Sequence, residues 1–128
     1  ALRGLIDFSR IEAMLARGQD SALLRYGLGN AYLNAADPGA AIPHLAEAVR
    51  LDPTYSATWK LYGKALAAAG NHAAAVAALS QGVVTAETKG DIQAAREMQV
   101  FLKRSRNALA DIDNPKDAKD DLAAHERK

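Results

Sequence analysis

The chain has 128 residues, of which 49% are apolar, 24% charged and only 5% aromatic; its 16 basic and 15 acidic side chains leave a net charge of +1. That length suits one domain with a core of its own, and the lack of cysteine excludes a disulfide scaffold and a thiolate metal site. The balanced charge argues against a dedicated nucleic-acid binder, no apolar run approaches the ~20 residues of a membrane span, and 29 alanines with few aromatics imply helices packed at short range.

The chain opens at Ala1 without an initiator Met, as a trimmed fragment would, and Arg3 and Asp7 break its first apolar residues too early for a signal peptide. A soluble, cytoplasmic protein is expected. Strand signals are nearly absent, because β-branched residues are scarce and no long stretch alternates apolar with polar. Helix punctuation is dense. Ser9 caps a short first helix that stops at Arg17-Gly18. Asp20 and Ser21 cap a second, in which Leu24, Leu28 and Tyr32 recur every fourth residue. Asp37-Pro38 ends that run and starts a third helix, expected to continue past Pro43 with a slight bend and to stop at Asp52-Pro53. A fourth is expected over 54–69, closed by Gly70-Asn71; a fifth over 72–88; a sixth over 91–109, after the Lys89-Gly90 break. From Asp111 the chain is charge-rich and poor in large apolar residues, which predicts a mobile or marginally helical tail over 111–128.

Helices of similar length joined by short turns invite a self-comparison. A shift of 34 residues places Gly29 on Gly63, Leu28 on Tyr62, Tyr32 on Leu66 and Ala31 on Ala65; in the helices that follow, Ala41 falls on Ala75 and Leu45 on Leu79. The second unit reads Trp59-x2-Tyr62-Gly63-x2-Leu66 and then Ala75-x3-Leu79. The first reads Leu28-Gly29-x2-Tyr32, Ala41-x3-Leu45 and a closing Pro53, with Arg25 where the second has Trp59. Here the chain resembles the tetratricopeptide repeat family, whose signature runs W-x2-L-G-x2-Y, A-x3-F and P. The second unit departs at Gly82, where the first has Ala48, and at Glu87, where the first has Pro53; without that proline the fifth helix can run on toward Gly90.

The resemblance implies an all-α fold, a right-handed α-solenoid of antiparallel helix pairs. It divides the chain into an N-terminal half-unit (1–20, carrying Ile11 and Met14), two repeats (21–54 and 55–89), a capping helix (90–110) and the tail (111–128). The glycines at 29 and 63 are expected to let paired helices approach, with Ala41 and Ala75 as the small residues opposite. In the last helix the same shift puts Glu97 on the glycine slot and Val100 on Leu66, so Ile92, Ala95, Val100 and Leu102 are its expected inner face and Lys103, Arg104 and Arg106 its wet side.

Catalytic and metal chemistry finds little support. Gly27-Leu28-Gly29 lacks the strand that a phosphate loop requires, and the serines have no activating neighbours. His44 and Glu47, at i and i+3, lack the further carboxylates of a di-iron site and read as exposed helix surface. Asp111-x-Asp113-Asn114 lacks the glycine and terminal glutamate of a calcium loop. No catalytic residue, metal or cofactor is assigned.

What remains is a surface. Stacked repeats present the first helix of each pair to a concave groove. Its residues are expected to be Tyr26, Asn30, Leu33 and Asn34 from the first unit, Lys60 and Lys64 from the second over a floor of Ala57 and Ala67, and Met98 or Phe101 from the capping helix. Asparagine amides beside ammonium groups suit an extended acidic segment or a free C-terminal carboxylate. One branch of the family grips chaperone C-termini with a carboxylate clamp; Asn30 falls on one of its Asn positions, whereas Tyr26, Leu61, Asp91 and Ala95 replace its polar or basic residues. The expected function is a non-catalytic protein-interaction module. The alternatives are self-association or packing within a larger protein, and, more weakly, RNA or membrane-surface contact through the basic last helix.

Overall fold

Four helix starts are made by short polar side chains that accept an otherwise unpaired backbone N–H. Ser21 takes the N–H of Leu24 at 3.0 Å, Asp37 that of Ala40 at 3.1 Å, Asn71 that of Ala74 at 3.3 Å and Asp91 that of Ala94 at 3.2 Å. The computed structural model describes residues 8–113, and its elements are α1 (Phe8–Ala16), α2 (Ala22–Asn34), α3 (Pro38–Leu51), α4 (Ser56–Ala68), α5 (His72–Thr88) and α6 (Ile92–Asp113). No strand occurs among the described residues. Helix α3 runs unbroken across Pro43. Helix α4 starts at Ser56 instead of 54, because the Asp52 carboxylate accepts both the N–H and the hydroxyl of Thr54 and holds that segment in a turn. Helix α6 continues to Asp113, so residues 111–113 of the expected tail are helical; 114–128, and residues 1–7 of the half-unit, lie outside the described residues.

Gly18, Gly70 and Gly90 close α1, α4 and α5 with φ of +81°, +84° and +78°. At the position 34 residues before Gly70 stands Ala36, at φ +60°. A left-handed conformation costs a residue with a Cβ roughly 1–2 kcal/mol, and glycine gives back part of that in chain entropy. Ala36→Gly is therefore expected to stabilise the protein by up to about 1 kcal/mol, read as a higher urea midpoint with an unchanged slope.

The chain stacks as an all-α solenoid. Helices α2 and α3 form one antiparallel pair and α4 and α5 the next; α2 lies beside α4, and α4 beside α6, on one side of the stack. A Cβ built on Gly29 would sit 2.4 Å from Cγ of Leu45, and one on Gly63 2.4 Å from Cγ of Leu79. Each glycine thus makes room for the leucine of the paired helix rather than for Ala41 or Ala75, which lie fully buried one turn earlier. Leu28, Leu45, Leu79 and Met98 are wholly buried, each contributing about 1.5–3 kcal/mol by leaving water. Tyr32 and Tyr62 pack half-buried around Ala41, Leu45 and Ala65, while Leu66, Ala75 and Ala78 form a neighbouring cluster against Trp59. The indole N–H of Trp59 donates to the Pro53 carbonyl at 2.8 Å.

The last helix departs from the 34-residue period. Ser56 follows Ala22 by 34 residues, but Ile92 follows Ser56 by 36, because α5 has 17 residues where α3 has 14. A 36-residue shift carries Trp59, Tyr62 and Leu66 onto Ala95, Met98 and Leu102, and these three are buried against Leu79, Val83 and Ala86. Ile92 and Val100, expected inside, are 52% and 51% exposed. Gly82 is the seat of this packing, since a Cβ there would lie 2.4 Å from the Met98 sulfur and 2.8 Å from Cβ of Trp59.

Candidate peptide-binding face

The residues singled out for a groove lie on helices α2, α4 and α6. Tyr26 is half-buried, its ring 5.5 Å from that of Tyr55 at the mouth of α4, and burial raises its phenol pKa above the usual value. Asn30 is half-buried and Asn34 exposed on the same helix, while Leu33 packs partly into the Ala41–Leu45–Ala65 cluster. Met98 must be removed from the set. It is 0% exposed, because the two-residue offset of α6 turns it onto the core face, where Tyr62 stands in α4.

The two lysines differ in what surrounds them. Lys60 Nζ donates to Glu97 Oε2 at 2.6 Å, a bridge from α4 to α6. That hydrogen bond, helped by one from Gln93, holds the Glu97 carboxyl below its ordinary range. Lys60 therefore brings a neutralised charge to the face. Lys64 instead lies over the Phe101 ring, 5.4 Å from its centroid, with Arg104 5.5 Å from the same centroid. Lys103, Arg104 and Arg106 are all exposed.

The slot filled by Trp59 in one unit holds Arg25 in the other, and Ala78 is matched there by His44. Arg25 forms a two-pronged bond to Asp20 at 2.9 and 3.0 Å and reaches His44 Nδ1 at 3.0 Å. Guanidinium only donates, so Nδ1 accepts and Nε2 carries the proton that faces Glu12 Oε1 at 3.4 Å. Glu12 also accepts from the Tyr32 hydroxyl at 3.2 Å, and the Tyr32 ring stacks with both Phe8 and His44. His44 is thus part of the bolt between α1 and the first repeat instead of plain exposed surface. Sequence reasoning missed it because its partners lie on two other elements, Glu12 on α1 and Arg25 and Tyr32 on α2.

Burial pushes the His44 pKa below its free value, against the pull of Glu12. The unfolded chain then binds this proton before the folded protein does. The His44 contribution to stability is complete above about pH 6.5 and is lost as pH falls through the folded pKa. Urea melts at pH 7.5 and 5.5 should show lower stability at the acid value, and His44→Gln should flatten that difference. An unchanged difference would assign it to another group.

A groove of about 850 Å³ also opens between α1 and α2, lined by Ile11, Met14, Leu24 and Leu28 and also by Asn30 and Asn34, with Leu23 75% exposed. No described helix is long and apolar enough to cross a membrane.

The family model for the tetratricopeptide repeat matches residues 10–56 and 26–92 of the chain. The TPR repeat-containing protein PA0015 of Pseudomonas aeruginosa is 55% identical over 94 residues, which span 73% of this chain and 90% of that protein. Among solved structures, that of protein BPP2914 from Bordetella parapertussis is similar with a TM-score of 0.67 and 44% identity, covering 80% of this chain and 89% of its own. The crystal structure of MamA protein is similar in fold alone, with a TM-score of 0.60 at 22% identity, covering 88% of this chain and 64% of its own.

Proposed function

The chain belongs to the tetratricopeptide repeat family, whose repeats generally mediate protein–protein interaction and typically serve as non-catalytic scaffolds, and on that premise we propose that the face of α2, α4 and α6 binds an extended peptide or protein segment. The observations that support this reading are the Tyr26–Tyr55 ring pair between α2 and the start of α4 and the exposed ammonium of Lys64 over Phe101; Asn30 and Asn34 lie on α2 as well, at the groove beside α1. Asparagine satisfies both donors and acceptors of an extended backbone, and aromatic rings supply contact area at low entropy cost. With Lys60 held by Glu97, the free charge on the face is positive, which favours an acidic segment.

Selection of a displayed random peptide library on the intact domain tests this. Selected peptides should bind in solution, lose affinity on Tyr26→Ala and Asn30→Ala, and keep it on Val84→Ser, which alters the exposed side of α5. Equal binding by the α2 variants, or loss only on Val84→Ser, would refute the assignment.

The groove between α1 and α2 favours a second reading, in which the half-unit packs against a further helix or a second copy of the chain. Light scattering over a concentration series should then show a rising mass that Leu23→Glu abolishes. A strict monomer at all concentrations excludes self-association.

A further inference from the structure

We infer that the cavity where α4, α5 and α6 meet recognises a carboxylate on the bound segment, with a small apolar side chain beside it; this rests on the reading of the α2–α4–α6 face given above. The cavity measures about 310 Å³, at the small end of ligand sites, so it suits one or two side chains rather than a folded partner. Its lining divides by chemistry. Ala67, Ala68 and Phe101 give an apolar floor, and Lys64 and Arg104 bring two positive charges around the single Phe101 ring.

Contact with a ring face attracts a cation without neutralising it. Neither Lys64 nor Arg104 forms a direct ion pair with a described carboxylate; Glu97 bonds to Lys60, and Lys64 adds only a longer-range pull on it. Both cations are exposed, so an anion can approach them. His72, the first residue of α5, lines the same cavity. Ser105, 2% exposed, adds a hydroxyl at the inner wall. The guanidinium fork of Arg104 matches a carboxylate, the Lys64 ammonium adds positive charge around the same ring, and the apolar floor takes a neighbouring aliphatic group.

The carboxylate could come from an acidic side chain or from a chain end, and three probes separate these: acetyl-Gly-Leu-Glu-Gly-amide, its Gln analogue, and acetyl-Gly-Leu-Gly-Gly with a free C-terminus. Each is titrated into the ¹⁵N-labelled domain by NMR. At least one carboxylate peptide should shift the signals of Lys64, His72, Phe101 and Arg104, and the one that does identifies the source. The neutral amidated analogue should bind about fivefold more weakly or worse, and K64Q and R104Q, both surface changes, should each weaken binding about fivefold with unchanged melting. Added salt should weaken the wild-type interaction and leave the variants less affected. Equal binding of the neutral analogue, indifference to both variants, or no response at these residues overturns the inference. A library-selected peptide that needs Tyr26 and Asn30 yet ignores K64Q and R104Q removes this pocket and leaves the binding face standing.

Discussion

Leu79→Ala is expected to cost about 2–5 kcal/mol, lowering the melting temperature by roughly 10 °C or more. Leu79 is wholly buried, fills the space that Gly63 leaves on α4, and belongs to the cluster that holds Met98 and Leu102 of α6. Alanine would therefore open a cavity on two helix contacts at once. The control is Val84→Ala on the same helix, at a side chain 57% exposed, which should stay within about 0.5 kcal/mol of wild type. Equal melting of the two variants would show that the α4–α5–α6 packing is wrong.

Two glycine-to-alanine changes should move stability in opposite directions. Alanine gains about 1 kcal/mol over glycine within a helix when there is room for its methyl group. Gly27, in the middle of α2, has nothing within 4 Å of the added Cβ, so Gly27→Ala should stabilise by up to that amount. At Gly82 the methyl meets Met98 and the fixed Cβ of Trp59, and overpacking of this kind costs about 1–3 kcal/mol. Gly82→Ala should thus destabilise despite its better propensity. Hydrogen exchange should show α6 loosening before α2 and α3. A stabilising Gly82→Ala would mean that α6 does not approach α5 as described.

The fold was legible where its causes are local. Ser21 and Asp37 mark helix starts because a side-chain oxygen three residues before an amide can accept from it, and Gly70 and Gly90 mark ends because the chain there turns left-handed; Asn71, read with Gly70 as a helix end, instead caps the start of α5. The pairing of Gly29 with Leu45 and of Gly63 with Leu79 was half legible: the repeat located all four residues, but the leucine, not the neighbouring alanine, fills the gap. The register of α6 was misread. Glu87 in place of the closing proline signalled a longer α5, and that extra length rotates α6 by two residues. Met98 consequently moves from groove to core, Val100 moves outward, and Glu97 leaves the glycine slot to bridge to Lys60. Gly82, which looked like a flaw in the second repeat, is what admits Met98. On the candidate face, residue types and spacing located Tyr26, Asn30, Lys60 and Lys64 along their helices. The pairing of Lys60 with Glu97 and the sharing of Phe101 by Lys64 and Arg104 depend on how three helices meet, which no single segment encodes.

The central claim is that the open side of α2, α4 and α6 is where a partner sits. NMR shift mapping of the intact domain with a library-selected peptide tests it most directly. The account predicts perturbations concentrated at Tyr26, Asn30 and Lys64 and extending to Phe101, with the exposed side of α5 around Val84 silent. Perturbations confined to α5, or to Leu23, Gly27 and Asn30 in the groove beside α1 with Tyr26 and Lys64 silent, would contradict it.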